Sequence, residues 1–196
     1  VLARRGPLPA PLARRVLDEI LAGLEAAHRV GVFHLDVKPS NVMLRSLDGQ
    51  EQVRELGAAV LLDFGIARLA DGPSESSGGD HLQLGTPGYM APEQREGRRC
   101  DARTDVYAAG VVLYEMLTGL RSAGSHSAIT AAELKQVTDT ALREILATAL
   151  DLDADRRFAT AKAFRAALAG DAPPPHAARP ASPFFYLSAH DESDRW

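Results

Sequence analysis

The chain has 196 residues, of which 22 are Lys or Arg and 26 are Asp or Glu, so its formal net charge is -4. With 45% apolar and 24% charged residues, the composition is typical of a globular protein and excludes a disordered tail. The dispersed basic residues exclude a broad nucleic-acid or polybasic membrane surface. No apolar run is long enough for a membrane span. The single cysteine, Cys100, excludes an intrachain disulfide and indicates a reducing, cytoplasmic location.

The first half of the chain predicts one helix followed by short strands. Apolar residues recur at helical spacing from Leu12 to Ala27, before Gly31, which predicts an amphipathic helix. Short apolar segments separated by polar or glycine-containing connections then predict small strands at 32–33, 42–44 and 58–62.

The second half is predicted to be helical. Residues 70–84 are rich in Gly, Ser and Asp and predict a loop. Residues 106–117 are apolar nearly all round, which predicts a helix buried on every side at the centre of the fold. Two further helices are predicted at 141–150 and 160–168. The pattern as a whole predicts a mainly α fold with a few short β-strands.

Composition changes after Gly170. Residues 171–182 are rich in Pro and Ala and predict an extended linker. The short segment 183–196 resembles the first strand of a TIR-like domain, and a disordered end is the alternative. The expected organisation is therefore one domain over 1–170, a linker and this C-terminal segment.

Three motifs follow one another in the chain: HLDVKPSN at 34–41, DFG at 63–65 and GTPGYMAPE at 85–93. In this order they resemble the catalytic loop, the metal-binding turn and the end of the activation segment of protein kinases. The pattern is most similar to bacterial kinases of the eukaryotic-like serine/threonine class. The resemblance covers residues 1–170 and implies the large, C-terminal lobe of a protein-kinase-like fold.

The resemblance assigns catalysis and cofactor binding to four polar side chains. Asp36 would orient the substrate hydroxyl and accept its proton, and Lys38 would place its ammonium near the transferred phosphate. Lys38, Asn41 and Asp63 would bind ATP, and Asn41 and Asp63 would supply the oxygen ligands that Mg²⁺ prefers. The implied reaction is transfer of the ATP γ-phosphate to Ser or Thr of a protein substrate.

Other matching positions are structural. His34 resembles the histidine that packs on the phenylalanine of the DFG turn, here Phe64, which Gly65 follows. Asp105 resembles an aspartate that caps the buried helix and binds the backbone of the catalytic loop. As a residue near a helix start, Asp105 also fits an ordinary N-cap.

A buried ion pair is implied near the end of the activation segment. Glu93 resembles a carboxylate that pairs with a buried arginine, and Arg157 is the matching position. Such a pair, if bidentate, would attach the segment to the last helices. Arg156 beside it is expected to be solvated.

The activation segment departs from the family at one position. Leu35 stands where many kinases carry the arginine that binds a phosphorylated loop. Phosphorylation of Ser74, Ser76, Ser77 or Thr86 is therefore not expected to activate the protein through this position.

A second departure concerns the ATP-binding small lobe. The chain contains no GxGxxG motif and no lysine before Lys38, although the family uses both on the phosphates. Two alternatives to an enzyme thus stay open: a pseudokinase-like binding scaffold, or a fragment with incomplete gene boundaries. We expect an exposed apolar face where the missing lobe or a partner would pack.

Overall fold

Helices dominate the fold. The computed structural model describes residues 6–46, 56–63, 68–69, 85–120 and 128–171. In chain order these form α1 (Ala10–His28), β1 (Val32–Phe33), β2 (Val42–Ser46), β3 (Leu56–Leu61), β4 (Arg68–Leu69), α2 (Pro92–Arg95), α3 (Ala102–Thr118), α4 (Ala131–Leu134), α5 (Thr140–Ala149) and α6 (Ala161–Ala169). Short 3-10 turns lie at Pro39–Asn41 and Ala154–Arg156. The predicted mainly α fold with a few short strands is confirmed.

Helix α3 lies at the centre of the core and packs against α1, α5 and α6. Nearly every residue from Thr104 to Met116 is buried, which confirms the prediction from its apolar sequence. A Cβ atom at Gly110 would lie 3.1 Å from both Ala149 Cβ and Leu150 Cδ2. The glycine therefore allows α3 and α5 to approach closely.

The N-cap of α3 differs from the predicted one. The cap is Asp101, whose side chain accepts a hydrogen bond from Arg103 N at 2.8 Å, while Asp101 N donates to Thr104 Oγ1 at 3.2 Å. Such reciprocal bonds form a capping box and satisfy N–H groups that have no partner within the helix. The prediction of Asp105 as the cap was wrong because this residue lies inside the helix, where it is fully buried.

Helix α1 is amphipathic, as predicted, and packs against α3 and α6. Its buried stripe follows helical spacing and consists of Ala13, Val16, Leu17, Ile20, Leu21 and Leu24. On its polar side, Arg165 of α6 bonds Asp18 Oδ1 at 2.8 Å and Glu25 Oε2 at 3.2 Å. Gly31 follows the helix with a φ of 74°, a conformation that favours glycine.

Two antiparallel strand pairs flank the loop between β1 and β2. Strand β1 pairs with β4, and β2 pairs with β3 in a register that places Val42 opposite Leu61. Leu62 N extends this second pairing by donating to Asn41 O at 2.7 Å. Because Asn41 precedes β2 and Asp63 follows β3, the antiparallel register places both residues at the same end of the pair.

Helices α5 and α6 lie within one residue of their predicted bounds. Phe158 and Phe164 stack beside them with ring centroids 4.9 Å apart. Among the described residues, no helix combines the length and apolar character needed to cross a bilayer. The predictions for 70–84, 172–182 and 183–196 fall outside the described residues.

Candidate active site

Asp36 lies at the centre of the polar side chains in the loop between β1 and β2, and it is 8% exposed. Its Oδ2 lies 2.6 Å from Lys38 Nζ, and its Oδ1 accepts a hydrogen bond from Thr86 Oγ1 at 2.8 Å. Lys38 Nζ also donates to Thr86 Oγ1 at 2.7 Å. A carboxylate, an ammonium and a hydroxyl thus contact one another, although Thr86 is 50 residues from Asp36 in the chain.

Asn41 connects Asp36 to the β2–β3 pair. Its amide Nδ2 donates to Asp36 O at 3.0 Å and to Asp36 Oδ2 at 3.3 Å. The amide oxygen at the other end of the group is a hard ligand of the kind that Mg²⁺ binds. Asp63, exposed and close in register to Asn41, offers a carboxylate.

The donor set around Asn41 and Asp63 fits an open magnesium site. Within the ranges that the structure describes, no three His, Cys, Asp or Glu side chains gather as a metal cage. Mg²⁺ is usually held by one or two carboxylates together with waters and substrate phosphates, so it requires no such cage.

His34 joins this loop to the residue before Asp63. Its Nδ1 accepts a hydrogen bond from Asp36 N at 3.2 Å, and its Nε2 lies 3.1 Å from Leu62 O. Because Nδ1 acts as the acceptor, the ring proton belongs on Nε2, where it is donated to the Leu62 carbonyl. The packing partner expected for His34, Phe64, and the neighbouring Gly65 lie outside the described residues.

Asp105 binds the backbone at the start of the same loop. Its two carboxylate oxygens accept from His34 N and Leu35 N, both at 2.8 Å. The carboxylate also lies 2.8 Å from His28 Nε2 at the end of α1. Asp105 therefore links α1, α3 and the loop.

The end of the predicted activation segment is attached by a buried ion pair. Arg157 donates from Nη1 to Glu93 Oε1 at 2.8 Å and from Nη2 to Oε2 at 2.9 Å. Thr104 Oγ1 adds a third bond to Glu93 Oε1 at 2.9 Å. The two ionic side chains are 5% and 3% exposed, and a bidentate geometry of this kind is strong and directional.

Residues 1–167 match the family model of the protein kinase domain. The chain belongs to the protein kinase family. It is 35% identical over 187 residues to the serine/threonine-protein kinase pkn3 of Myxococcus xanthus, covering 86% of this chain and 33% of that relative. It is 42% identical over 128 residues to PkaA of Streptomyces coelicolor, covering 65% of this chain and 22% of PkaA.

A third relative is the serine/threonine-protein kinase PknL of Mycobacterium tuberculosis, which is 43% identical over 119 residues. That match covers 61% of this chain and 27% of PknL. This chain therefore spans a third or less of the length of these relatives. The predicted resemblance to bacterial serine/threonine kinases is confirmed.

Electrostatics favour the charged form of Glu93 in this protein kinase lobe. Burial by itself would raise the pKa of Glu93, but the bonds and charge of Arg157, together with the Thr104 hydroxyl, hold that pKa below its usual value. The Arg157 guanidinium also lies 4.9 Å from the centroid of the Tyr107 ring, a cation–π distance. The Glu93 carboxyl group is thus ionised at neutral pH.

The structure describes part of the predicted activation segment. Thr86 contacts Asp36 and Lys38, as described above. Tyr89, three residues further along, donates from its hydroxyl to Glu115 Oε2 of α3 at 2.8 Å. The serines at 74, 76 and 77 lie outside the described residues.

An apolar face is exposed on the β2–β3 pair, as expected for this kinase lobe. Met43 and Val60 are Cα partners across the pair, and they are 46% and 36% exposed. Leu62, two residues after Val60, is 39% exposed and lies on the same face because strand side chains alternate.

Sequence reasoning missed two polar partners of the loop. His28 lies four residues after Leu24 on the buried stripe of α1, so the helical spacing was a usable signal for it. Gln94 donates from Nε2 to Leu35 O at 2.7 Å. Nothing in the local pattern around Gln94 indicates a contact with a residue 59 positions away.

Proposed function

We propose that this chain is the catalytic lobe of a bacterial protein serine/threonine kinase that transfers the ATP γ-phosphate to a protein hydroxyl once a small lobe completes it. The observation that carries the proposal is the contact of Asp36 with Lys38, Asn41 and Thr86. The proposed cellular location of the protein is the cytoplasm, which the lone Cys100 supports.

Asp36 is the proposed base. Its Oδ1 already accepts a hydrogen bond from the Thr86 hydroxyl, which supports a role in orienting an alcohol. A substrate Ser or Thr would donate in the same way and pass its proton to Asp36 as its oxygen bonds the γ-phosphorus. The bond from that phosphorus to the bridging oxygen breaks, and ADP leaves with the electron pair.

Charge on the phosphates would be offset by one ammonium of this chain and by a metal ion that two other side chains would hold. The Lys38 ammonium lies 2.6 Å from the Asp36 carboxylate and supplies a positive point charge beside the acceptor. Asn41 and Asp63 would hold Mg²⁺, which supplies neutralisation of phosphate charge in phosphoryl transfer.

A binding scaffold is the second candidate function. The observation that favours it is the exposure of Met43 and Val60, which are 46% and 36% exposed on the β2–β3 pair. In this alternative, the exposed apolar face on β2 and β3 binds a partner, and no phosphate is transferred.

Phosphoryl transfer can be tested by joining the chain in frame to the small lobe of a relative such as PknL. We expect labelled phosphate from ATP to appear on Ser and Thr, and Asp36→Asn to reduce the rate by about 10² or more. Glu144→Gln makes the same chemical change at an exposed position and should retain the rate.

The isolated chain is the second arm of this test. Without a small lobe, we expect no transfer, because the phosphates would be stabilised through water instead of in a closed site. A folded fusion without transfer would favour the scaffold, and a fusion unaffected by Asp36→Asn would exclude Asp36 as the base.

A further inference from the structure

The backbone of Leu35 adopts a conformation that leucine rarely takes, with a φ of 63°. Its side chain is 5% exposed, so it packs in the interior and cannot bind a phosphate at the surface. Its N–H is held by Asp105 Oδ1 at 2.8 Å. An unfavourable backbone conformation persists only where its surroundings hold it on several sides.

Gln94 holds the other side of the same residue. This side chain extends from α2 and donates from Nε2 to Leu35 O at 2.7 Å. The two backbone polar groups of Leu35 are thus bound by side chains of two different helices, Asp105 of α3 and Gln94 of α2. The residue next in sequence is Asp36, so the orientation of its backbone depends on these bonds.

Gly85 leaves the space that the Gln94 amide occupies. A Cβ atom at Gly85 would lie 2.7 Å from Gln94 Nε2, closer than real Cβ contacts allow, and 3.0 Å from Leu35 O, which is a tight contact. Its φ of 121° also favours glycine. Thr86 follows Gly85 directly and bonds Asp36. The Gln94 amide therefore lies against the catalytic loop at Leu35 and against the segment that crosses it at Gly85.

We propose that Gln94 is a positioning residue for Asp36, and that it attaches the end of the activation segment to the catalytic loop without any phosphate. Many kinases carry a phosphate-binding arginine at the position of Leu35, and the buried Leu35 side chain cannot bind a phosphate. The Gln94 amide instead attaches the segment through the Leu35 carbonyl. Its importance for catalysis rests on the function proposed above, whereas its effect on the loop backbone does not.

Hydrogen exchange of the complete 196-residue chain tests the proposal without ATP. Gln94→Met keeps the length of the side chain and removes the donor. We expect exchange in a peptide covering 34–38 to become at least about tenfold faster, while peptides from α3 keep their rates. Gln136→Met, the same change at an exposed position, should leave every peptide unchanged.

Gly85→Ala provides a second, independent variant. It retains the Gln94 donor but places a methyl group where the amide lies, so it should accelerate the same peptide. The double variant with Gln94→Met should accelerate exchange by less than the two single changes combined, because both remove the Gln94–Leu35 bond while Gly85→Ala adds backbone strain of its own. Fully additive effects would overturn the proposal.

The pH profile of Gln94→Glu separates a donor role from simple packing. At pH 7 the carboxylate cannot donate to Leu35 O, and the peptide should exchange rapidly. Protonation of this glutamate in acid restores a donor, so protection should increase with falling pH relative to the wild type at the same pH. Unchanged exchange in Gln94→Met, or equal acceleration across α3, would contradict positioning, whereas absent phosphoryl transfer would count only against the proposed function.

Discussion

Two regions of this lobe differ in the side chains that they bury and expose. Around Glu93 and Arg157, charged groups are buried and satisfied by one another and by Thr104. On β2 and β3, by contrast, Met43 and Val60 lie exposed beside the proposed magnesium ligands. The first region is complete within the chain, and the second presents a surface that a further lobe or partner could cover.

Breaking the buried pair should have the largest effect. Glu93→Gln leaves the Arg157 guanidinium buried without its counter-charge, which typically costs about 3–5 kcal/mol. Urea unfolding followed by circular dichroism measures this loss. The control is Glu96→Gln, whose ion pair with Arg98 is exposed, so this variant should keep a stability close to that of the wild type. Equal losses in the two variants would show that burial does not determine the strength of the pair.

Asp105→Asn should have the next largest effect. His34 N and Leu35 N donate to different carboxylate oxygens, so in the amide one of these N–H groups would face an NH2 group instead of an acceptor. We expect about 2–3 kcal/mol lower unfolding free energy, because bonds to a buried charged acceptor are strong. Asp18→Asn, at a half-exposed bond to Arg165, is the control. A stability like that of the wild type would show that the loop needs only one of these bonds.

Acid should destabilise the first region more than the second. Burial would raise the pKa of Asp101, but bonds from Arg103 outweigh it and lower that pKa, as Arg157 and Thr104 lower the pKa of Glu93. A carboxyl group whose pKa is lowered by folding stabilises the protein at a pH above its unfolded pKa. That contribution is lost as the pH falls through its folded pKa. The unfolding free energy should therefore fall below about pH 4.5.

The slope of that acid dependence identifies its source. In Glu93→Gln, urea unfolding between pH 3.5 and 7 should show a shallower decline than in the wild type, because one carboxylate no longer titrates. Identical declines would assign the acid sensitivity to other carboxylates.

The exposed face should give the smallest change in stability. Met43→Gln with Val60→Thr should alter the unfolding free energy by no more than about 0.5 kcal/mol, the usual range for surface substitutions. The same variant should reduce concentration-dependent light scattering, because it removes exposed apolar area. A wild-type chain that stays monomeric at high concentration would contradict an association role for this face.

Local patterns in the sequence predicted the helices well. The continuous apolar character of α3 and the spacing in α1 depend on which faces are buried, and each is readable within one segment. The cap of α3 was missed although Asp101 and Thr104 carry a local capping pattern. The family's motifs directed attention to Asp105 instead, whose bonds are to a distant loop.

Contacts between distant segments could not be predicted in the same way. The bond from Gln94 to Leu35 and the approach of Gly85 depend on how the end of the activation segment crosses the loop. That crossing is produced by tertiary packing and by a left-handed backbone at Leu35. Residue types alone specify neither.

Leu62 is bound on both sides, by Asn41 O through its N–H and by His34 Nε2 through its carbonyl. The next residue, Asp63, has a φ of 63°. The peptide before Asp63 is thus held at both ends, and a substitution of His34 would release it beside a proposed magnesium ligand.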